Sequence, residues 1–215
     1  MKYRTVIFDI DGTLLNAESG VTRVLEYTLR RFGKGIPENF DKRRFLAPSM
    51  NYSLHHFFGL MPEEADAAAG IYRARYSEDG FSDTTLFPGA RELLTDLKAA
   101  GVKIVIATAR NAFSTGVIIE KYGLSGLTDY VAVSDGNPEC NSKYVIIKEA
   151  LAEAIMPAVM VGDTILDAAG ARDNKIPFVG MTYGYGMPNE LSAAGAIGLF
   201  SSMDGLRGFL FEEPF

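Results

Sequence analysis

Val6-Ile-Phe-Asp9-Ile-Asp11-Gly-Thr13 is the segment from which the architecture can be read. Val6 to Ile10 is a short, largely apolar and β-branched run, the pattern of a strand buried on both faces, and it hands Asp9 and then Asp11 to an Asp-Gly turn. Three runs of the same kind follow at Val102 to Ala107, Tyr130 to Val133 and Ala158 to Val161, with weaker ones at Ile176 to Gly180 and Ile197 to Phe200. Helical patterns separate them: Ala90 to Ala100 closed by Gly101, Ala112 to Tyr122 closed by Gly123, Ser142 to Ile155 before Pro157, and a helix beginning near Ile165. This alternation predicts a doubly wound parallel α/β sheet, whose ligand crevice lies beyond the carboxyl ends of its strands.

The alternation fails between the first strand and Phe87. Helical patterning fills that interval at Thr22 to Phe32, Ser53 to Phe58 and Leu60 to Tyr76, the last opening on Pro62-Glu63-Glu64 in the manner of a helix start. A simple crossover needs far fewer residues. The expectation is therefore a core domain of residues 1–15 and 83–215 with an all-helical cap inserted at 16–82, its hinges at Leu15 to Ser19 and Asp79 to Phe87. Phe57 and Phe58 are expected in the small core of this insertion.

Composition removes several functions. With 21 basic against 27 acidic residues the chain carries −6, and it lacks the basic surplus that neutralises nucleic-acid phosphates. The insertion holds nine of each sign, so the negative excess falls on the rest of the chain and the cap repels anions less. Arg43, Arg44 or Arg73 could there meet a second anionic group of a substrate, or simply sit on a solvated face. One cysteine, Cys140, closes no internal disulfide, and no run is long and apolar enough to span a membrane, so a cytoplasmic protein is expected. His55 and His56 with Cys140 do not make a zinc site of ordinary spacing. A metal would need oxygen ligands.

Such ligands stand at two strand ends. Asp9 and Asp11 leave the first strand together, and Val161-Gly-Asp163-Thr-Ile-Leu-Asp167 follows another. Adjacent like charges at a hydrophobic strand mouth call for a compensating cation or proton, and carboxylates from Asp9, Asp11 and Asp163 with waters and a phosphate oxygen suit Mg²⁺. Thr13 and Asp167 are expected just behind these ligands. The same residues also fit an Asp-Gly turn and a helix N-cap with an acidic first turn. Thr108-Ala109-Arg110 ends a strand with a hydroxyl, main-chain N–H groups and a cation, and Lys143 opens a helix where its charge is unfavourable unless something negative lies close. Thr108, Ala109 and Lys143 are thus the expected phosphate-binding groups, with Arg110 reaching toward substrate.

Asp9-Ile-Asp11-Gly-Thr13, Thr108, Lys143 and Gly162-Asp163-Thr-Ile-Leu-Asp167, in that order, resemble the four motifs of the haloacid dehalogenase superfamily. The resemblance spans Val6 to Gly186. The insertion after the first motif looks like the helical-cap subclass, and Ile71-Tyr-Arg-Ala-Arg-Tyr76, Leu86-Phe-Pro-Gly89 and Thr182-Tyr-Gly-Tyr-Gly186 are similar to phosphoglycolate phosphatases and related 5′-nucleotidases. Asn141-Ser-Lys143-Tyr departs from the lysine-proline pair common in that subclass and resembles the serine-lysine form of nucleotidase-like members. The resemblance implies that Asp9 becomes an aspartyl phosphate and that Asp11 is the general acid and base. A Mg²⁺-dependent phosphomonoesterase for a small phosphorylated metabolite follows, with phosphoglycolate-like compounds first and nucleoside monophosphates as the alternative. A sugar phosphomutase or a non-enzymatic phosphorylation switch would share much of this pattern. The sequence carries no signal for oligomeric state.

Overall fold

The structure, a computed structural model, describes residues 1–41, 45, 50–80, 82–134 and 142–212. Arg43, Arg44, Cys140 and Asn141 lie outside the described residues. The chain forms two compact units, Met1–Leu15 with Leu86–Phe215, and Asn16–Thr85. Re-entry at Leu86 compares with the expected 83. No helix among the described residues is long and apolar enough to cross a membrane.

The first unit is a doubly wound α/β sheet, as its alternating pattern predicts. Strands β1 (Thr5–Phe8), β4 (Lys103–Asn111), β5 (Tyr130–Ser134), β6 (Ala158–Gly162), β7 (Phe178–Met181) and β8 (Leu199–Phe200) are all parallel, in the order β5-β4-β1-β6-β7-β8. After β1 the chain builds outward through β4 and β5, then returns to the other side of β1 for β6, β7 and β8. That reversal makes the ends of β1 and β6 the switch point. Helices α4 (Ala90–Ala99), α5 (Ala112–Lys121), α6 (Lys143–Ala152), α7 (Ile165–Asp173), α8 (Pro188–Ala193) and α9 (Met203–Phe211) flank the sheet.

Side chains alternate across a strand, and β1 is buried at every position. Ile7 joins Val105, Ala132, Met160 and Phe178 in one core layer with Ile146, Ile147, Ala168 and Leu191 of the helices. Its neighbours Val6 and Phe8, equally buried, therefore face the opposite layer. Burying such side chains contributes roughly 1.5–3 kcal/mol each, so this central strand is fixed firmly and its end is a rigid base for Asp9. The carboxyl-terminal helix α9 docks on the core through Met203, Leu206 and Leu210, and Phe209 packs on Phe200 with ring centroids 5.3 Å apart.

Asn16–Thr85 is helical, with α1 (Glu18–Arg30), α2 (Met50–Phe58) and α3 (Pro62–Arg75), the last running into a π-helical turn at Tyr76–Gly80. Two-residue strands β2 (Leu15–Asn16) and β3 (Thr85–Leu86) mark where the chain leaves and returns. Val24, Leu25 and Leu29 of α1 form this unit's own core with Phe45, Leu54, Phe58, Ala68 and Tyr72. Phe58 is buried there and Phe57 packs against it, while His55 and His56 are exposed. Helix α1 starts before the expected Thr22, because Glu18 suits the positive helix end and Gly20 and Val21 are buried.

Candidate active site

Sheet register brings the motif residues together. Phe8 lies level with Val161 of β6 and Ile106 of β4, and the Asp9 N–H donates to the Val161 carbonyl at 2.9 Å. Asp9 therefore emerges beside Gly162-Asp163 on one side and Ala107-Thr108 on the other. Carboxylate oxygens of Asp9, Asp163 and Asp167 lie within 4.8 Å of one another, all three residues buried.

Lys143, the first residue of α6, enters this cluster. Its Nζ donates to Asp9 Oδ1 at 2.6 Å and to the Ala107 carbonyl at 2.9 Å, and it pairs with Asp167 Oδ1 at 2.7 Å. Ser142 caps the helix, its hydroxyl accepting from Val145 N–H at 3.4 Å. Burial alone lowers the Lys143 pKa, but Asp167 and Asp9 outweigh it and the ammonium is held charged. Asp167 also closes the capping box of α7: Thr164 Oγ1 donates to its Oδ2 at 2.7 Å and the Thr164 N–H at 3.1 Å.

Asp163 is fully buried between the first turn and the loop after β7. Its Oδ1 accepts from Thr13 Oγ1 and its Oδ2 from the Tyr185 N–H, each at 2.8 Å. Gly12, at φ +82°, and Gly184 lie so close that a Cβ on either would overlap the Asp163 side chain. These positions need glycine for conformation at the first and for space at both.

Three buried carboxylates thus crowd together, and the Lys143 ammonium pairs with two of them, Asp9 and Asp167. Burial pushes the Asp9 carboxyl up to about 7; Lys143 opposes that shift, while Asp167 and Asp11 reinforce it. Asp163 is raised well above the usual carboxylate range, by burial first and then by Asp167 and Asp9, against the Tyr185 and Thr13 donors. Asp167 Oδ1 is buried and meets the same Lys143 ammonium, at 2.7 Å, that already serves Asp9. A hard divalent cation would satisfy this uncompensated, all-oxygen donor set, so the residues fit the Mg²⁺ expected of them.

Asp11 is placed differently. The expected metal trio was Asp9, Asp11 and Asp163, whereas Asp167 is the third carboxylate of the cluster and Asp11 turns to Arg110. Arg110 Nε donates to Asp11 Oδ2 at 2.5 Å and Nη2 to Oδ1 at 2.6 Å, a two-pronged charge-assisted pairing that fixes the carboxylate plane. Nε and Nη2 of Arg110, a residue expected to reach toward substrate, are thereby engaged with Asp11. Its position follows from β4, which runs on through Asn111 with an irregularity between Thr108 and Asn111. Asn111 then caps α5, its Oδ1 accepting from Ser114 N–H at 2.8 Å. Thr108 is buried with its hydroxyl accepting from the Arg110 N–H at 3.3 Å, and Ala109 is exposed at the strand's end.

The loop at Thr182-Tyr-Gly-Tyr-Gly186 had no assigned role in the sequence, although it supplies a donor to Asp163. Its glycine spacing was the available signal.

The motif order and this geometry agree with known proteins. Residues 3–174 match the haloacid dehalogenase-like hydrolase family. The chain is 33% identical over 185 residues to tyrosine-protein kinase PtkA of Mycobacterium tuberculosis, covering 84% of this chain and 62% of that protein, which is less than two thirds of its length. It is 26% identical to a 5′-nucleotidase of Pseudomonas aeruginosa, covering 90% and 89% of the two chains. A phosphoglycolate phosphatase of Rhodospirillum rubrum is 27% identical, covering 98% and 92%. The crystal structure of a predicted phosphatase from Clostridium acetobutylicum superposes with a TM-score of 0.87 at 29% identity, covering 99% and 100%. With four motifs converging on one strand-end crevice and this match across most of its length, the chain belongs to the haloacid dehalogenase-like hydrolases.

Proposed function

We propose that the protein is a Mg²⁺-dependent phosphomonoester hydrolase for a small, phosphoglycolate-like metabolite, working through a phosphorylated Asp9. The observation that carries this reading is the gathering of the Asp9, Asp163 and Asp167 carboxylates, two of which, Asp9 and Asp167, pair with the Lys143 ammonium. With Asp9 Oδ1 held by Lys143, its second oxygen attacks phosphorus in line as the bond to the leaving oxygen breaks. Asp11 gives its proton to that oxygen and later takes one from the water that cleaves the aspartyl phosphate, releasing inorganic phosphate. Arg110 orients Asp11 for this work. The Thr108 hydroxyl and the Ala109 N–H receive phosphoryl oxygens, and Lys143 offsets their charge. Asp9 and Asp163, supported by Asp167, would hold Mg²⁺, which when bound supplies further positive charge against the phosphoryl group.

Nucleoside monophosphates are the second substrate class, favoured by the 5′-nucleotidase relative and the Ser142-Lys143 pair. Inorganic phosphate release is to be measured across phosphorylated acids, sugars and nucleotides, with and without Mg²⁺. Mg²⁺-dependent release that disappears in Asp9→Asn supports the reading. Phosphoryl movement between sugar positions without free phosphate would indicate a mutase, and no turnover on any compound would favour a switch. Phosphorylation of protein tyrosine, which the Mycobacterium relative's name as a tyrosine-protein kinase brings into view, would likewise stand apart because it releases no free phosphate.

A further inference from the structure

The motifs Leu86-Phe-Pro-Gly89 and Thr182-Tyr-Gly-Tyr-Gly186 take no part in the chemistry above, yet the fold sets them against the turn that carries it. Tyr183 is half-buried, with its ring 4.2 Å from that of Phe87 at an interplanar angle of 42°. Its hydroxyl donates to the main-chain carbonyl of Thr13 at 2.6 Å. Thr13 in turn donates its own hydroxyl to Asp163 Oδ1 at 2.8 Å. Two residues along the loop, the Tyr185 N–H donates to Asp163 Oδ2 at 2.8 Å, and the Gly186 N–H donates to the Asp163 carbonyl at 3.0 Å. A closed ring of hydrogen bonds results, running from Tyr183 to Thr13, to Asp163 and back to the loop at Tyr185.

We infer that Tyr183 is a positioning residue whose hydroxyl closes this ring and so fixes the Asp163 carboxylate in the orientation that holds the divalent cation. The inference rests on the metal-binding role proposed for Asp163. Asp163 itself has no side-chain freedom to spare: both oxygens are assigned, and Gly12 and Gly184 press on it from two sides. Tyr183 ties the loop to the turn from behind. There the phenol reaches a carbonyl 170 positions away in the chain, and Phe87 holds the ring at the angle that lets it do so. Burial first, and then Asp163, raise the phenol's pKa, so it remains a proton donor wherever the site works. Groups that orient a metal ligand from behind typically matter about 10–100-fold to metal affinity.

The test is Tyr183→Phe, which keeps the ring on Phe87 and removes the hydroxyl alone. Mn²⁺ affinity is read by electron paramagnetic resonance on substrate-free protein, with the thermal midpoint measured alongside. The expected result is Mn²⁺ binding weakened about tenfold. A lower midpoint with Mn²⁺ affinity within about twofold of the parent would overturn the inference, since a purely structural contact has that signature. If Tyr183→Phe does not fold, Phe87→Leu loosens the ring with the hydroxyl intact, and it is expected to weaken Mn²⁺ binding about threefold; unchanged affinity would again overturn it. Parent protein that binds no Mn²⁺ would remove the metal site and this inference with it, an outcome distinct from normal parental binding that Tyr183→Phe leaves untouched.

Discussion

Asp9 and Asp11 leave one strand two positions apart, and the fold gives them opposite neighbours. Asp9 sinks into a buried cluster under Lys143, whereas Asp11 stays half-exposed against the Arg110 fork. In the proposed function the first of these carboxylates bonds phosphorus and the second carries protons. Asp9→Asn leaves Lys143 with a neutral partner and no nucleophile, so kcat should fall at least about 10³-fold. Asp11→Asn should cost about 10²–10⁴-fold in kcat, as expected when general acid–base help is lost. Arg110→Lys keeps the charge but not the two-pronged geometry, so a kcat loss of roughly tenfold is expected, with the thermal midpoint changed little. Steady-state phosphate release measures all three.

At the scale of the element, tight turns and caps hold these groups. Gly12→Ala would place a Cβ at φ +82° and inside the Asp163 side chain; a loss of about 2–3 kcal/mol in stability is expected from denaturant unfolding, together with impaired metal binding. Thr164→Val removes one half of the capping box at α7 and should cost about 1 kcal/mol by the same measurement. The strands and their terminal acids were legible because each motif is local: an apolar run, an acid, then a glycine or a helix start. The extension of β4 was not, because Thr108-Ala-Arg-Asn111 has no apolar alternation and is held by pairing to β5, with Asn111 level with Ser134. The pairing of Arg110 with Asp11, 99 positions away in the chain, leaves no local pattern for the same reason. The role of Tyr183 was hidden for the same reason, since a hydroxyl bonded to a remote carbonyl leaves no periodic trace. Asp167 was placed behind the metal ligands; its approach to Asp9 depends on the Gly162 backbone, which lets the Asp167 side chain pass where a Cβ would stand.

Across the whole molecule, the buried acids couple stability to pH and to cations. The unfolded chain sheds the Asp9 proton near the ordinary 3.8, while the folded chain keeps it up to about 7. Between those values the folded state binds more protons, so stability falls as pH rises through that window; the raised Asp163 acts in the same direction. Metal-free protein in chelator should accordingly show a higher thermal midpoint at about pH 5 than at about pH 8, and Mg²⁺ should restore more at the higher pH. An inverse pH trend would mean that the cluster is not carrying uncompensated charge. Whether distant loops gather their carboxylates around one cation is decided by anomalous diffraction from crystals soaked in Mn²⁺. A single ion bonded to both Asp9 and Asp163 is the predicted result, and ions bound only elsewhere, with Asp9 and Asp163 unligated, would contradict it.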